Sequence, residues 1–330
     1  MAIFAVGLPV LLVIALANLV TARGSSGARL AFNLTLFLAN LLLLAVGVAL
    51  QFLPADALAL PDTGLQVFDQ GLGSLALIAM GLWGMLACLR PARLALRRVL
   101  PALDAESAVH TLALVAAGYL AGNAALSLGP GAMELMAESG IQASLVDVLA
   151  QQFLFVLAAF LGVGLLIRRD GTALNERLGL QRPTIGQLWT GVRWMVFFVF
   201  LQGCIGATWA LLEPEQAQQL SGINETLLGS FDTVWEWFLL AAAAGLGEEL
   251  LFRGALQPIF GIVPTSLIFA VSHVQYGLSP ATLTVFLLSV VLGIIRKRSN
   301  TTVAILVHGG YNFTLGLLSL LAVYLEPLVR

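Results

Sequence analysis

The chain has 330 residues, of which 59% are hydrophobic and only 10% are charged, and its mean hydropathy is +0.95. Because soluble domains carry about 25% charged residues, this composition excludes a water-soluble globular protein and indicates a polytopic membrane protein. The net charge is −2, and the two cysteines, Cys88 and Cys204, lie in apolar runs, which excludes a disulfide framework.

A membrane-spanning helix needs about 20 predominantly apolar residues. The chain contains ten such segments, so we predict an all-α, polytopic transmembrane helix bundle of about ten spans. In chain order they are residues 2–21, 30–53, 71–89, 108–128, 148–167, 190–212, 233–252, 261–277, 280–295 and 301–325. The segment 261–277 is short, which indicates a helix that is tilted or enclosed by others.

The charged residues between these spans alternate in sign. Fifteen of the sixteen lysines and arginines fall on one side of the membrane if the ten spans are correct, and Arg330 alone falls on the other. The opposite loops carry the acidic residues Asp56, Asp62, Asp69, Glu134, Glu138, Asp147, Glu213, Glu215, Glu225 and Asp232. Since cytoplasmic loops collect Lys and Arg, we expect a multi-pass protein of the cell inner (plasma) membrane with both termini outside.

Polar side chains interrupt the last four apolar segments, where leucine would be less costly. They are Glu248, Glu249 and Arg253 in the sequence GEELLFRG, then His273, and then His308 with Asn312. Ionisable residues inside membrane segments are usually functional or paired with one another. The third histidine, His110, lies at the start of the fourth span and is interpreted as an interfacial residue without a special role.

Helical spacing relates these side chains to one another. Glu249 and Arg253 are four residues apart and can form an ion pair on one helix face, whereas Glu248 points about 100° away. His308 and Asn312 are also four residues apart. Counting residues from the basic loops indicates that the three groups can meet at one depth in the cytoplasmic half of the bundle.

Three interpretations of this cluster remain open from the residues alone. Polar residues in membrane helices often serve only as hydrogen-bonding contacts between helices. A carboxylate and an imidazole can instead activate water while a second imidazole and an amide stabilise an oxyanion. The same Glu and His side chains could also hold a metal ion with an open position, although no HExxH pair is present.

The three motifs resemble those of the CAAX-protease and bacteriocin-processing family of intramembrane endopeptidases, also called the Abi family. That family carries EExxxR, FxxxH and HxxxN motifs on successive membrane helices, and they stand in order here as Glu248-Glu249-Leu-Leu-Phe-Arg253, Phe269-Ala-Val-Ser-His273 and His308-Gly-Gly-Tyr-Asn312. The resemblance covers about residues 180–325. It implies a protease domain at residues 180–330, preceded at residues 1–179 by an N-terminal extension of about five spans and a cytoplasmic loop.

The resemblance also implies roles for the motif residues. Glu248 is expected to activate water with the assistance of His273. His308 and Asn312 are expected to stabilise the oxyanion, and Glu249 with Arg253 to form a supporting ion pair. The family has been described both as metalloproteases and as glutamate proteases, so a divalent zinc ion on Glu248, His273 and His308 stays open beside a metal-independent mechanism.

The predicted function is therefore an intramembrane endopeptidase that cleaves a peptide bond near the cytoplasmic membrane face. Its expected partners are the lipid bilayer and a peptide or membrane-protein substrate, and no nucleic acid. The high alanine, leucine and arginine content is bacterial in style, which favours processing of peptides, or immunity to them, over cleavage of prenylated CAAX tails. The alternatives are a non-catalytic scaffold or bacteriocin-immunity protein of the same fold, and a proton-coupled transporter.

Overall fold

A computed structural model describes residues 2–54, 69–126 and 142–329, with the side chains of residues 3–54, 69–126 and 142–325. Within these ranges the chain forms helices and no β-strand, which confirms the predicted all-α bundle. Five of the charged residues used to assign sidedness lie outside the described residues, namely Asp56, Asp62, Glu134, Glu138 and Arg330.

The long helices follow the apolar segments of the sequence. In chain order the α-helices are α1 (Ala2–Arg23), α2 (Ser26–Leu50), α3 (Gln70–Cys88), α4 (Arg90–Leu96), α5 (Ala108–Leu126), α6 (Leu145–Val163), α7 (Gly171–Leu178), α8 (Ile185–Leu212), α9 (Pro214–Leu228), α10 (Val234–Glu249), α11 (Gln257–Phe260), α12 (Ile262–Val271), α13 (Pro280–Arg298) and α14 (Thr301–Val329). A π-helical segment, Leu250–Leu256, joins α10 to α11, and a 3₁₀ turn, Val274–Tyr276, follows α12.

Eight of these helices are long and apolar enough to cross a membrane: α1, α2, α3, α5, α6, α8, α13 and α14. They coincide with eight of the ten predicted spans. The seventh predicted span, 233–252, covers α10 and the first three residues of the π-helical segment. The chain then stays helical through α11 to Phe260. The eighth, 261–277, is helical only over the ten residues of α12. The chain then enters the 3₁₀ turn, and Gly277 adopts a positive φ of 55°.

Four short helices, α4, α7, α9 and α11, lie between the predicted spans, and of these α7 has a side-chain N-cap. Helix α7 begins after Asp170, whose carboxylate accepts a hydrogen bond from the N–H of Ala173. Helix α8 begins after Thr184, where Thr184 and Gln187 form a reciprocal capping box.

Helix α10 lies at the centre of the part of the bundle that holds the sequence motifs, between α14 and α6. Its approach to α14 depends on two glycines. A Cβ on Gly245 would lie 2.9 Å from the backbone N of Gly309, and a Cβ on Gly309 would lie 3.2 Å from the carbonyl oxygen of Ala241. Small residues that let helix backbones approach in this way are common in membrane helix packing, and here they bring α14 within reach of the end of α10.

The segment before residue 180 packs directly against the predicted protease domain. Leu174 and Leu178 of α7 share a buried cluster with Leu250 and Ala255 of the π-helical segment. At the other end of the domain, the N–H of Thr301 donates to the carbonyl of Gly179 at 2.9 Å. The boundary predicted between residues 179 and 180 therefore lies inside a packed region.

Candidate active site

The site begins where α10 ends. A capping box between Thr233 and Glu236 starts this helix, and Glu248 and Glu249 are its last two residues. The backbone then changes to π-helical geometry, which is often found at functional sites. Arg177 of α7 donates to two carbonyl oxygens of this segment, at 2.6 Å to Gly254 O and at 3.1 Å to Ala255 O. Burial lowers the pKa of Arg177 to about 10, so its guanidinium stays charged at neutral pH.

Glu249 and Arg253 form the ion pair that their spacing predicts. Oε1 of Glu249 lies 2.9 Å from Nη1 of Arg253, and the two side chains are only 0% and 1% exposed. Arg253 also donates from Nη2 to Oγ of Ser289 on α13 at 2.9 Å, and its guanidinium lies 4.4 Å above the centre of the Phe269 ring. A buried charge is tolerated only when it is paired in this way.

Glu249 has a second partner, His308 of α14. Nδ1 of His308 lies 2.8 Å from the same Oε1 atom of Glu249. Because an ionised carboxylate only accepts hydrogen bonds, the Nδ1–H of the imidazole is the donor. Glu249 therefore fixes the orientation of the ring and directs its Nε2 edge away from the ion pair.

That Nε2 edge faces Glu248. Nε2 of His308 lies 4.0 Å from Oε2 of Glu248, whose side chain is 14% exposed. The other carboxylate oxygen, Oε1, accepts a hydrogen bond of 3.2 Å from Nε2 of Gln152 on α6. Adjacent in sequence, the two glutamates thus differ in environment: Glu249 is enclosed by a cation and an imidazole, and Glu248 keeps a free Oε2 atom beside His308.

His273 reaches the same region from the end of α12. Its Nδ1 lies 2.9 Å from the carbonyl oxygen of Phe269, an arrangement in which Nδ1–H donates and Nε2 is free. The Phe269 ring contacts both histidines, with centroid distances of 4.7 Å to His273 and 5.9 Å to His308. Phe252 packs edge-on against Phe269 at 4.9 Å, so an aromatic pair packs against the two histidines.

Asn312 lies one turn beyond His308 on α14 and is partly buried. Within the described part of the chain its side chain makes no hydrogen bond, so only its place beside His308 follows from the structure. Of the predicted residues, Glu248, Glu249, Arg253 and His308 are linked by direct contacts. His273 joins them through Phe269, and Asn312 by its position on the same helix.

Sequence reasoning missed three residues that contact this cluster. Ser289 and Gln152 lie inside apolar spans, and Arg177 was counted only as a basic loop residue. Gln152 carried a usable signal, because an amide within an apolar span needs a hydrogen-bonding partner. Nothing in the sequence states that this partner would be Glu248, 96 residues further along the chain.

The histidine contacts bear on the predicted metal ligands Glu248, His273 and His308. Both imidazoles have Nδ1 held by an oxygen atom and Nε2 free, which is how metal-ligating histidines are usually oriented. Among the described residues, however, no three His, Cys, Asp or Glu side chains are grouped so that they could hold a metal ion. The arrangement therefore does not fit a three-ligand zinc site.

Comparison with known proteins agrees with the motifs. Residues 230–314 match the sequence model of the type II CAAX prenyl endopeptidase Rce1-like family, a segment that begins just before α10 and contains all three motifs. The chain matches no curated protein and no solved structure. Residues 230–314 of this polytopic membrane protein are therefore similar to the Rce1-like branch of the CAAX-protease and bacteriocin-processing family.

Proposed function

We propose that this protein is an intramembrane endopeptidase in which Glu248 activates water for attack on a peptide bond near the cytoplasmic face of the membrane. The observation that carries the proposal is the difference between the two adjacent glutamates. Glu249 is neutralised by Arg253 and orients His308, whereas Glu248 retains a buried Oε2 atom without a hydrogen-bond partner among the described residues. A general base needs such a free oxygen within reach of the proton that it removes.

The proposed reaction is written for these side chains. Glu248 accepts a proton from water as the water oxygen bonds to the peptide carbonyl carbon. The carbon–nitrogen bond then breaks, and the proton passes from Glu248 to the leaving amine. His308, held by Glu249, and Asn312 are proposed to stabilise the oxyanion of the tetrahedral intermediate, and His273 is proposed to assist Glu248.

The proposed substrate is a membrane-associated peptide. The matched family model is named for prenylated CAAX substrates, and a lipidated C-terminal tail, a bacteriocin precursor and a membrane-protein segment all present a peptide bond at the membrane surface. Comparison of new protein N-termini in membranes containing the wild type or Glu248→Gln tests the proposal without choosing among them.

We expect termini that depend on the wild-type protein to disappear in Glu248→Gln. The matched control is Glu225→Gln, which changes an exposed carboxylate on α9 and should leave these termini in place. If Glu248→Gln retains every terminus and the cellular role of the wild type, the peptidase proposal is wrong and the scaffold or immunity function is favoured.

The resemblance left a zinc ion open, and the spacing of the described donors favours the metal-independent reaction. Cleavage by the purified protein should then survive dialysis against a chelator, and zinc should not co-purify stoichiometrically. One equivalent of zinc in the wild type that is lost in His308→Ala, together with chelator-sensitive cleavage, would show that the metal-dependent mechanism operates instead.

The proposed location is the inner membrane with the basic loops inside and both termini outside. Single cysteines at Ala102 and Thr172, both exposed, test this once Cys204 has been replaced. An impermeant thiol reagent added to intact cells should not label them, and it should label a cysteine at Ser221 on α9. The reverse pattern would invert the orientation.

A further inference from the structure

We infer that Gln152, which lies 78 residues before the family-matched segment begins, is a positioning residue for the proposed peptidase reaction. Its amide Nε2 donates to Oε1 of Glu248 at 3.2 Å, and only 6% of the residue is exposed. This inference rests on the proposed function, because it assigns to Gln152 the placement of the general base.

The backbone brings Gln152 to Glu248 by a close approach of two helices. A Cβ on Gly247 would lie 2.4 Å from Oε1 and 2.8 Å from the backbone oxygen of Gln152. Only glycine at position 247 lets α6 come this near to the end of α10. Gly247, the residue before the proposed general base Glu248, therefore leaves the space that Gln152 occupies.

Helix α6 is itself held by two neighbouring elements on the C-terminal side of Gln152. Ala159 and Val163 pack in the cluster that contains Leu250 of the π-helical segment. Between them in sequence, the carbonyl oxygen of Leu161 accepts a hydrogen bond of 2.6 Å from the amide of Asn18 on α1. An amide on a fixed helix can hold a carboxylate within the narrow range of positions that catalysis requires.

The side-chain oxygen of Gln152 is not used in this contact. Its Oε1 atom is buried and accepts no hydrogen bond from the described residues, and the same is true of Oε2 of Glu248. One hydrogen bond from Gln152 therefore fixes Oε1 of Glu248. Each of these two side chains keeps one acceptor oxygen without a partner among the described residues, Oε1 in Gln152 and Oε2 in Glu248. The geometry assigns Gln152 the task of holding one carboxylate oxygen so that the other faces His308.

The test compares two substitutions at Gln152 with a matched control on the same helix. Gln152→Met keeps an unbranched side chain of similar length and removes the donor, and Gln152→Glu keeps the shape and replaces the donor with an acceptor. The control, Gln151→Met, makes the same chemical change at the neighbouring exposed position. Each full-length protein is purified, and its folded fraction is measured by size-exclusion chromatography and thermal unfolding.

The probe is the solubilised membrane proteome of cells that lack this protein, with the enzyme in excess so that the rate of appearance of new N-termini reports a single turnover. We expect both Gln152 variants to slow this rate about ten- to hundredfold per folded molecule, as for loss of one hydrogen bond to a charged group. The enzyme concentration that gives half the maximal rate should not change, and Gln151→Met should behave as the wild type.

A purely structural role would lower the folded fraction but leave the rate per folded molecule unchanged, and that result would overturn the inference alone. Gln152→Glu keeps the test decisive if Gln152→Met does not fold, because its shape matches the native side chain. If the wild type yields no more new termini than Glu248→Gln, the proposed function fails, and the assignment of Gln152 fails with it.

Discussion

Helices α1 to α5 and the cluster around Glu248 both bury polar side chains, and the two regions satisfy them differently. In α1, Asn18 donates to the carbonyls of Ile14 and Leu161 and accepts from Arg168. In α2, Asn40 donates to Leu36 at 2.8 Å. Its carbonyl oxygen also accepts from the Tyr119 hydroxyl of α5 at 2.9 Å. These fully buried amides use both their donor and acceptor atoms within the protein.

The cluster around Glu248 instead retains unused acceptors. Oε1 of Gln152, Oε2 of Glu248 and Oε2 of Glu249 are all buried without a hydrogen-bond partner among the described residues. In α1 to α5 the comparable case is a single atom, Oδ1 of the half-buried Asn33. Since unsatisfied polar atoms are expensive inside a membrane protein, several of them together support the proposed active site, where water and substrate would supply the missing partners.

The two regions also contain one fully buried arginine each, and these give the largest predicted effect. Arg253 pairs with the buried Glu249, whereas Arg93 donates only to the backbone carbonyls of Ala87 and Ala105. Arg253→Leu leaves the buried Glu249 carboxylate without its cationic partner, a change that commonly costs about 3–5 kcal/mol. Arg93→Leu leaves carbonyls without a donor, at about 1–3 kcal/mol.

Yield of monodisperse protein and the midpoint of thermal unfolding measure both changes. Arg253→Leu should lower both values more than Arg93→Leu does, and it should also abolish cleavage. Equal losses for the two variants would show that the Glu249 carboxylate does not depend on Arg253 for its burial.

A second change separates the stability of the ion pair from its function. Replacing both partners in Glu249→Met/Arg253→Leu removes the unpaired charge, and apolar replacements of buried pairs are often neutral or stabilising. We expect the double variant to recover most of the stability lost by Arg253→Leu, measured by thermal unfolding. Cleavage should stay absent, because His308 loses the acceptor that orients its ring. Recovery of cleavage would assign Glu249 a structural role only.

The composition and the apolar segments were sufficient to predict the all-α bundle and eight of its spanning helices, because lipid requires long runs of apolar residues that satisfy their own backbone. The short α12 departed from its predicted span, since the chain turns at His273 and Gly277 before reaching spanning length. Hydropathy cannot detect that turn, because the residues around it remain largely apolar.

Within the site, local spacing predicted the contact between Glu249 and Arg253, which depends only on helix geometry. It could not predict the hydrogen bond between His308 and Glu249. That contact depends on the close approach of α10 and α14 at Gly245 and Gly309. The contact of Gln152 with Glu248 likewise arises from tertiary packing.

A smaller effect is expected where the site meets α6. Gly247→Ala places a methyl group against the Gln152 amide and backbone, and overpacking of this kind typically costs about 1–3 kcal/mol. The control is Gly203→Ala on α8, where no atom lies within 4 Å of the added Cβ. There the change should stabilise the helix by about 0.8–1.0 kcal/mol.

Thermal unfolding and cleavage per folded molecule should both decrease for Gly247→Ala and not for Gly203→Ala. If Gly247→Ala lowered stability without affecting cleavage, the spacing between α6 and α10 would matter only for folding.

The smallest effect is predicted in the N-terminal region, for Tyr119→Phe. The substitution removes the single hydrogen bond from the Tyr119 hydroxyl to Asn40 and changes nothing else in the packing between α5 and α2. Hydrogen bonds between membrane helices average about 0.6 kcal/mol in double-mutant cycles, so the unfolding midpoint should decrease only slightly. Tyr324→Phe, at a side chain that is 75% exposed, serves as the control and should not change it. Cleavage per folded molecule should equal that of the wild type in both variants. The fully buried amides of α1 and α2 make all their hydrogen bonds to other groups of the protein, so they have no free group for the reaction. Slower cleavage by Tyr119→Phe at nearly unchanged stability would instead show that the polar contacts of the N-terminal helices are coupled to Glu248.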